Sequence, residues 1–346
     1  MDNILILMWA AIIIVLIFDF TNGFHDASNI TGTIIASRAM TPIQAALLTG
    51  VFHFIGPMLG GTAVANTIGK FVTIGDLEAA MSLTILLCGI FGSIFWNLFT
   101  WWFGLPSSSS HALVGGIVGA VLFAAGPDHV LWGWSKLIND GEMSGVTKVI
   151  LSLFISPVVG FWFAWTLQKI VRTMVAAARP GVDKFFKYSQ WISAGALSFS
   201  HGTNDAQKSM GIISLALLLG GQTDKFYIPD WVILWCALII TAGNMFGGWR
   251  IVKTVGFGIF RVRPIHSFNA QLTSATVIFG AAMVGAPVST THVSSSAIMG
   301  VGTAEQPNAV KWRKGKEIFA TWIITIPGSG LVGGLTYLLT NVFTKF

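Results

Sequence analysis

Two short stretches of the chain set acids beside amides and histidine where apolar residues would be expected. One holds Asp19, Asn22, Gly23, His25, Asp26 and Asn29; the other holds His201, Gly202, Asn204, Asp205, Gln207 and Lys208. A carboxylate at membrane depth costs about 3 kcal/mol on the lenient insertion scale, so it normally lines a polar path or holds a cation. Hard monovalent cations such as sodium take carboxylate and amide oxygens, by the same logic that governs calcium and magnesium. Asp26 and Asp205 are therefore the candidate cation ligands, with Asn22, Asn29, Asn204 and Gln207 supplying neutral oxygens. The plainer alternative is that the two acids cap helices at a broken turn. Lys208 either pairs with an acid or extends toward the membrane surface, and snorkelling is the favoured reading.

A second pair of stretches carries hydroxyls, Pro106 to His111 and Pro287 to His292. A proline, then hydroxyls, then an apolar run reads as a helix start. Helix amino termini offer free N–H groups and the positive end of the dipole, so two of them facing each other form an oxyanion cradle. Ser108, Ser109, Ser110, Ser289, Thr290 and Thr291 are its candidate ligands. The alternative is that they only cap helices or bond to neighbouring helices. His111, His292 and His25 are candidates for donating to the oxyanion, orienting a hydroxyl or carrying a proton, and equally for plain packing.

The elements that must position these groups are membrane helices. Of 346 residues, 53% are hydrophobic and 10% charged, against about a quarter charged in soluble domains. Apolar runs recur along the whole length, several near the roughly 20 residues that span a bilayer. The first run follows no Lys or Arg and precedes no small-residue cleavage site, so it reads as a first transmembrane helix and not a secretory signal. Cys88 and Cys236 lie in apolar runs without metal or redox spacing. The net charge of +6 comes from bases between the apolar runs, not interleaved with aromatics, which excludes a nucleic-acid partner.

Those bases cluster at Lys169, Arg172, Arg179, Lys184 and Lys187, at Arg250, Lys253, Arg261 and Arg263, and at Lys311, Arg313, Lys314 and Lys316. The positive-inside rule makes all three clusters cytoplasmic and the amino terminus external. Arg250 and Lys253 are expected to face headgroups. The chain also repeats itself. Gly23, Asp26 and Ala27 match Gly202, Asp205 and Ala206 at a spacing of 179 (205 − 26), and Pro106-Ser-Ser-Ser-Ser-His111 matches Pro287-Val-Ser-Thr-Thr-His292 at 181 (292 − 111). A weaker match sets Gly60, Thr67 and Gly69 against Gly247, Thr254 and Gly256 at 187 (247 − 60). The expected fold is an all-α integral membrane protein of about ten to twelve helical segments, in two inverted-topology repeats with broken or re-entrant helices. Residues 1–168 form the first repeat, 169–188 a basic cytoplasmic linker and 189–346 the second repeat. The site belongs near the midplane, where the repeats meet.

The duplicated motifs, Gly23-Phe24-His25-Asp26-Ala27 and Gly202-Thr203-Asn204-Asp205-Ala206, with Pro287 to His292, resemble the inorganic phosphate transporter (PiT) family over essentially the whole chain. The resemblance implies symport of inorganic phosphate with sodium or protons, an external amino terminus and a homodimer. His25 departs from the family's usual Asn, and His53 and Gln271 stand where sodium-driven eukaryotic members carry glutamate. Sodium remains the favoured coupling ion, because two acids among amide oxygens suit it. Proton-coupled uptake of a metal–phosphate complex, another tetrahedral oxyanion such as sulfate, and an anion channel are the rival readings. An enzyme is not expected: there is no Gly-x-Ser-x-Gly elbow, no zinc-spaced cluster and no catalytic set, and no cofactor is implied.

Overall fold

The computed structural model describes residues 2–177, 181–247 and 249–344. Arg179 and the side chains of Arg250 and Lys253 lie outside the described residues. The elements are α1 (Asp2–Ala36), α2 (Pro42–Leu59), α3 (Ala63–Ile68), α4 (Ala79–Trp102), α5 (Ser109–Ala124), α6 (Trp134–Asp140), α7 (Gly145–Met174), α8 (Val182–Leu219), α9 (Asp230–Phe246), α10 (Trp249–Val252), α11 (Pro264–Met283), α12 (Thr290–Glu305) and α13 (Trp312–Thr344). Ten of these are longer than seven residues; α3, α6 and α10 are the short ones. Among the described residues the β-structure is a single isolated bridge, Val72 with Val130. The stretch 169–188 includes the end of α7, to Met174, and the start of α8, from Val182.

Packing is inverted relative to a water-soluble domain. Trp9, Ile13, Phe95, Trp162, Ile324 and Leu339 are exposed, while Asp19, Asp26, Asp205 and Lys208 are buried. Among the described residues, five helices are long and apolar enough to cross a membrane: Asn3–Ala36, Pro42–Leu59, Ala79–Trp102, Gly145–Met174 and Trp312–Phe343. α8 is not among them although it has 38 residues, because its middle is polar. At 1.5 Å per residue it extends about 57 Å, well beyond a hydrocarbon core of roughly 30 Å.

The two helices that carry the acid motifs run antiparallel. Met8 packs on Gly220, Ser209 donates to Asp19 at 2.7 Å, and Ser37 just beyond α1 donates to Gln190 near the start of α8 at 2.8 Å. α1 and α8 each cross a partner at the motif glycine: a side chain on Gly23 would strike the Ile240 carbonyl of α9, and one on Gly202 the His53 carbonyl of α2. The positions correspond, since 240 follows 53 by the same 187 residues that relate the third pair of motifs. Backbones can approach this closely only where no Cβ intervenes, as in small-residue packing between membrane helices.

Two hairpins carry the hydroxyl motifs. α4 and α5 start and finish at one face, where His129 lies 3.6 Å from Asp76; α11 and α12 start and finish at the other, where His266 lies 3.8 Å from Glu305. Their turns use Gly104 and Gly285 at φ +66° and +64°, a left-handed conformation that favours glycine. Thr67 donates to the Gly285 carbonyl at 2.7 Å and Thr254 to the Gly104 carbonyl at 3.1 Å, which gives the weak third sequence match a physical meaning. Each turn is held by the threonine of the opposite half. The long helices are exchanged in the same way, with α7 against α11 and α12, and α13 against α4 and α5. Arg38, Arg261, Arg263 and Lys311 line one cavity at the face where α1 ends, and Arg172 approaches Glu305 there at 3.9 Å.

Candidate substrate and cation site

α1 is continuous from Asp2 to Ala36 and α8 from Val182 to Leu219, so the acids do not sit at a broken turn. This corrects the capping alternative. A continuous helix satisfies its own backbone and can still project polar side chains toward a neighbour, so neither Gly23 nor Gly202 has to interrupt it. The interruptions lie elsewhere, between α2 and α3 and in the turns of the two hairpins.

Both hydroxyl segments start helices, as their sequences imply. The Ser108 hydroxyl accepts from the His111 N–H at 3.2 Å and the Ser289 hydroxyl from the His292 N–H at 3.2 Å, which makes these two residues N-caps. The next hydroxyls point at the acids. Ser109 donates to Asp26 Oδ2 at 2.9 Å and lies 2.5 Å from Asn22 Oδ1. Thr290 lies between the carboxylates, 3.3 Å from Asp26 Oδ2 and 3.2 Å from Asp205 Oδ2, and Thr291 donates to Asp26 Oδ1 at 3.0 Å. Asn29 in turn donates to Thr291 at 2.8 Å. The acid and hydroxyl motifs thus interlock in one buried centre. α5 and α12 meet at their amino termini, where the first N–H groups of a helix lack intrahelical partners. Ser110 donates to the Val288 carbonyl across this junction at 3.2 Å.

Around Asp205, Asn204 donates to Oδ1 at 2.9 Å and to the Val288 carbonyl at 3.0 Å. His201 approaches Oδ2 at 3.3 Å. Around Asp26, His25 Nδ1 lies 2.7 Å from Oδ1, and its Nε2 reaches Ser107 at 3.3 Å. Asp26, His201 and Asp205 offer ligand atoms that all lie within 4.8 Å of one another, and all three residues are buried. Among the described residues, Asn22 Nδ2 and Asn29 Oδ1 are buried without a hydrogen-bond partner.

Two favoured sequence expectations change here, those for Lys208 and Gln207, and His111 and His292 take the packing alternative. Lys208 does not reach the surface: it is 1% exposed, forms an ion pair with Asp205 Oδ1, and donates to Ser110 at 2.6 Å. Burial against a carboxylate and a hydroxyl holds it where snorkelling was expected. Gln207 is not at the centre. Its Oε1 accepts from the N–H groups of Val64 and Ala65 at 2.7 and 3.3 Å, and its amide faces the Gly60 carbonyl, so it caps α3 at the break after α2. His111 and His292 pack with each other, centroids 4.5 Å apart, and His292 stacks on Trp322 at 3.7 Å. His292 lines an apolar cavity together with Phe154, Phe161 and Phe319, and His111 packs on Phe154. His201 and Lys208 were missed as site residues. The repeat could have found both, since they occupy the positions of Asn22 and Asn29 in the second copy.

Antiparallel helices carrying duplicated acids, two opposed helix starts and an apolar exterior define a multi-pass membrane transporter. The sequence profile of the phosphate transporter family matches residues 22–333, and the chain belongs to that family. It is 39% identical over 344 residues to a probable low-affinity inorganic phosphate transporter of Bacillus subtilis (strain 168), covering 99% of each chain. It is 38% identical to a protein of the same description from Rhizobium meliloti (strain 1021), covering 97% of each. A solved structure titled as the sodium-dependent phosphate transporter shares the fold, with a TM-score of 0.85 at 23% identity over 97% of this chain and 99% of the other. The family is one of transporters, not enzymes.

Proposed function

We propose that this protein imports inorganic phosphate into the cell by symport with a cation, sodium in the favoured reading, through alternating access. The observation that carries this reading is Thr290 lying between Asp26 and Asp205 at the junction of two helix amino termini. Phosphate suits the opposed N–H groups and hydroxyls of α5 and α12. The carboxylates oppose it: like charges 4 Å apart repel by about 4 kcal/mol at an effective dielectric of 20. A cation between acid and phosphate turns that repulsion into attraction, so the two bind together. The ligands around Asp26, namely Asn22, Asn29, Ser109, Thr290 and Thr291, supply oxygens, the donor type that a hard cation takes. The name of the structural neighbour points to the same ion.

Ser109, Ser110, Thr290 and Thr291 are assigned to the oxyanion, with Ser108 and Ser289 fixing the helix starts. Asp26, Asp205, Asn22, Asn29 and Asn204 are assigned to the cation side, and His25 and His201 to orienting the acids. One set of segments moves against the other and exposes the site to either side in turn. The protein is placed in the cell membrane with its amino terminus outside, its basic face in the cytoplasm, and a homodimeric assembly.

Phosphate uptake into proteoliposomes, with sodium and pH gradients imposed separately, tests the proposal. An inward sodium gradient is expected to drive accumulation, and Asp26→Asn to abolish it. Uptake driven by pH alone supports proton coupling through the histidine–carboxylate pairs. Downhill flux that no gradient can concentrate identifies a channel, and sulfate carried in place of phosphate overturns the substrate.

A further inference from the structure

The two copies of the site share one hydrogen bond that crosses between the halves. Position 29 of the first copy corresponds to position 208 of the second, and Ser110 corresponds to Thr291. Asn29 donates to Thr291 at 2.8 Å, and Lys208 donates to Ser110 at 2.6 Å. Each side chain crosses to the third hydroxyl of the opposite half. The difference is charge. The first copy puts a neutral amide there and leaves Asn29 Oδ1 buried without a partner among the described residues. The second copy puts an ammonium there, 1% exposed and ion-paired with Asp205. Around the Lys208 nitrogen stand the oxygens of Asp205 and Ser110, a carboxylate and a hydroxyl, which are the donors a small monovalent cation would take.

We infer that Lys208 is a tethered cation that permanently fills the second of two equivalent cation positions, leaving one exchangeable position at Asp26 and Asn29. This rests on the reading of the centre as a cation-coupled phosphate site. An ammonium anchored to α8 neutralises Asp205 on both sides of the transport cycle. It contributes nothing to the driving force, because it never leaves. The protein then couples one fewer cation to each phosphate than a centre with amides at both positions.

The test compares wild type, Lys208→Asn and Lys208→Met as purified proteins in detergent, melted over a series of sodium concentrations with choline holding ionic strength constant. Lys208→Asn installs the amide that position 29 already has. Its melting temperature is expected to drop in choline, to recover in sodium, and to rise more steeply with sodium than that of wild type. Lys208→Met removes the charge without adding an oxygen and is expected to recover little. Equal behaviour of the two variants, or a sodium slope in Lys208→Asn no steeper than wild type, overturns the inference and leaves the lysine a packing residue. In proteoliposomes, the Hill coefficient for sodium-stimulated uptake by Lys208→Asn is expected to exceed that of wild type by about one site, and an unchanged coefficient counts against the inference. Failure of the underlying reading shows separately, as wild-type phosphate uptake indifferent to every cation gradient, whereas the melting series needs no transport.

Discussion

The surroundings of Asp26 and Asp205 use nearly the same side chains in a different order. The first copy has Asn22 before and His25 beside its acid; the second has His201 before and Asn204 beside. Each carboxylate has an imidazole beside it, His25 at 2.7 Å from Asp26 and His201 at 3.3 Å from Asp205, while Asp205 also accepts from the Asn204 amide at 2.9 Å. The apparent mismatch of His25 with Asn204 is an exchange of places between imidazole and amide along the sequence. The unbalanced pair is Asn29 and Lys208. A duplicated site has become uneven through one charge, and the two acids should respond differently when altered.

The largest difference is expected between Asp205→Asn and Asp26→Asn. Asp205→Asn leaves Lys208 buried without its counter-charge, a loss of about 3–5 kcal/mol. That variant should lose most of its folded yield or melt many degrees lower in detergent. Asp26→Asn strands no fixed cation, so it should fold and fail in transport, with uptake reduced roughly a hundredfold if about 3 kcal/mol of charged ligation is lost. Equal melting temperatures for the two variants would break the comparison. Next in size is Thr290→Val, which removes the hydroxyl placed between both acids while keeping shape. Uptake should fall roughly tenfold for a loss near 1.5 kcal/mol, and Thr290→Ser should restore most of it.

Smaller effects should be symmetric. Gly23→Ala and Gly202→Ala each push a methyl into a carbonyl of the crossing helix, and each should destabilise by about 1–3 kcal/mol. A marked inequality in their melting temperatures would mean that the α1–α9 and α8–α2 crossings are not equivalent. Smallest are the N-caps: Ser108→Ala and Ser289→Ala should cost about 1 kcal/mol each, measured by the same melting experiment.

Much of this architecture was legible in the sequence because duplication marks it twice. Asp26, Asp205 and the six hydroxyls stood out as polar residues repeated at fixed spacing in an apolar chain, and the structure gathers them at one place. The roles of single side chains were harder to read. Gln207 is two residues from Asp205 in sequence, and two steps along a helix turn it by about 200° and send it to α3. Lys208 was read as a surface residue because Lys normally snorkels; its position follows from the register of the repeat, which pairs it with Asn29. His111 and His292 end a polar motif but pack on each other and on the aromatic rings of Phe154 and Trp322, because the helix that begins at Ser109 or Thr290 rotates them away. The exchange of α7 and α13 between the two hairpins left no motif, since contacts between apolar helices carry no residue signature in one chain.

Phosphate binding to the purified protein at fixed pH, titrated in sodium and again in choline, tests the central claim most directly. If a cation at Asp26 makes room for the oxyanion, sodium must raise phosphate affinity and phosphate must raise sodium affinity by the same factor. The account requires that dependence in the wild type and its disappearance in Asp26→Asn. Equal phosphate affinity in both salts, or a sodium effect that survives Asp26→Asn, would contradict it.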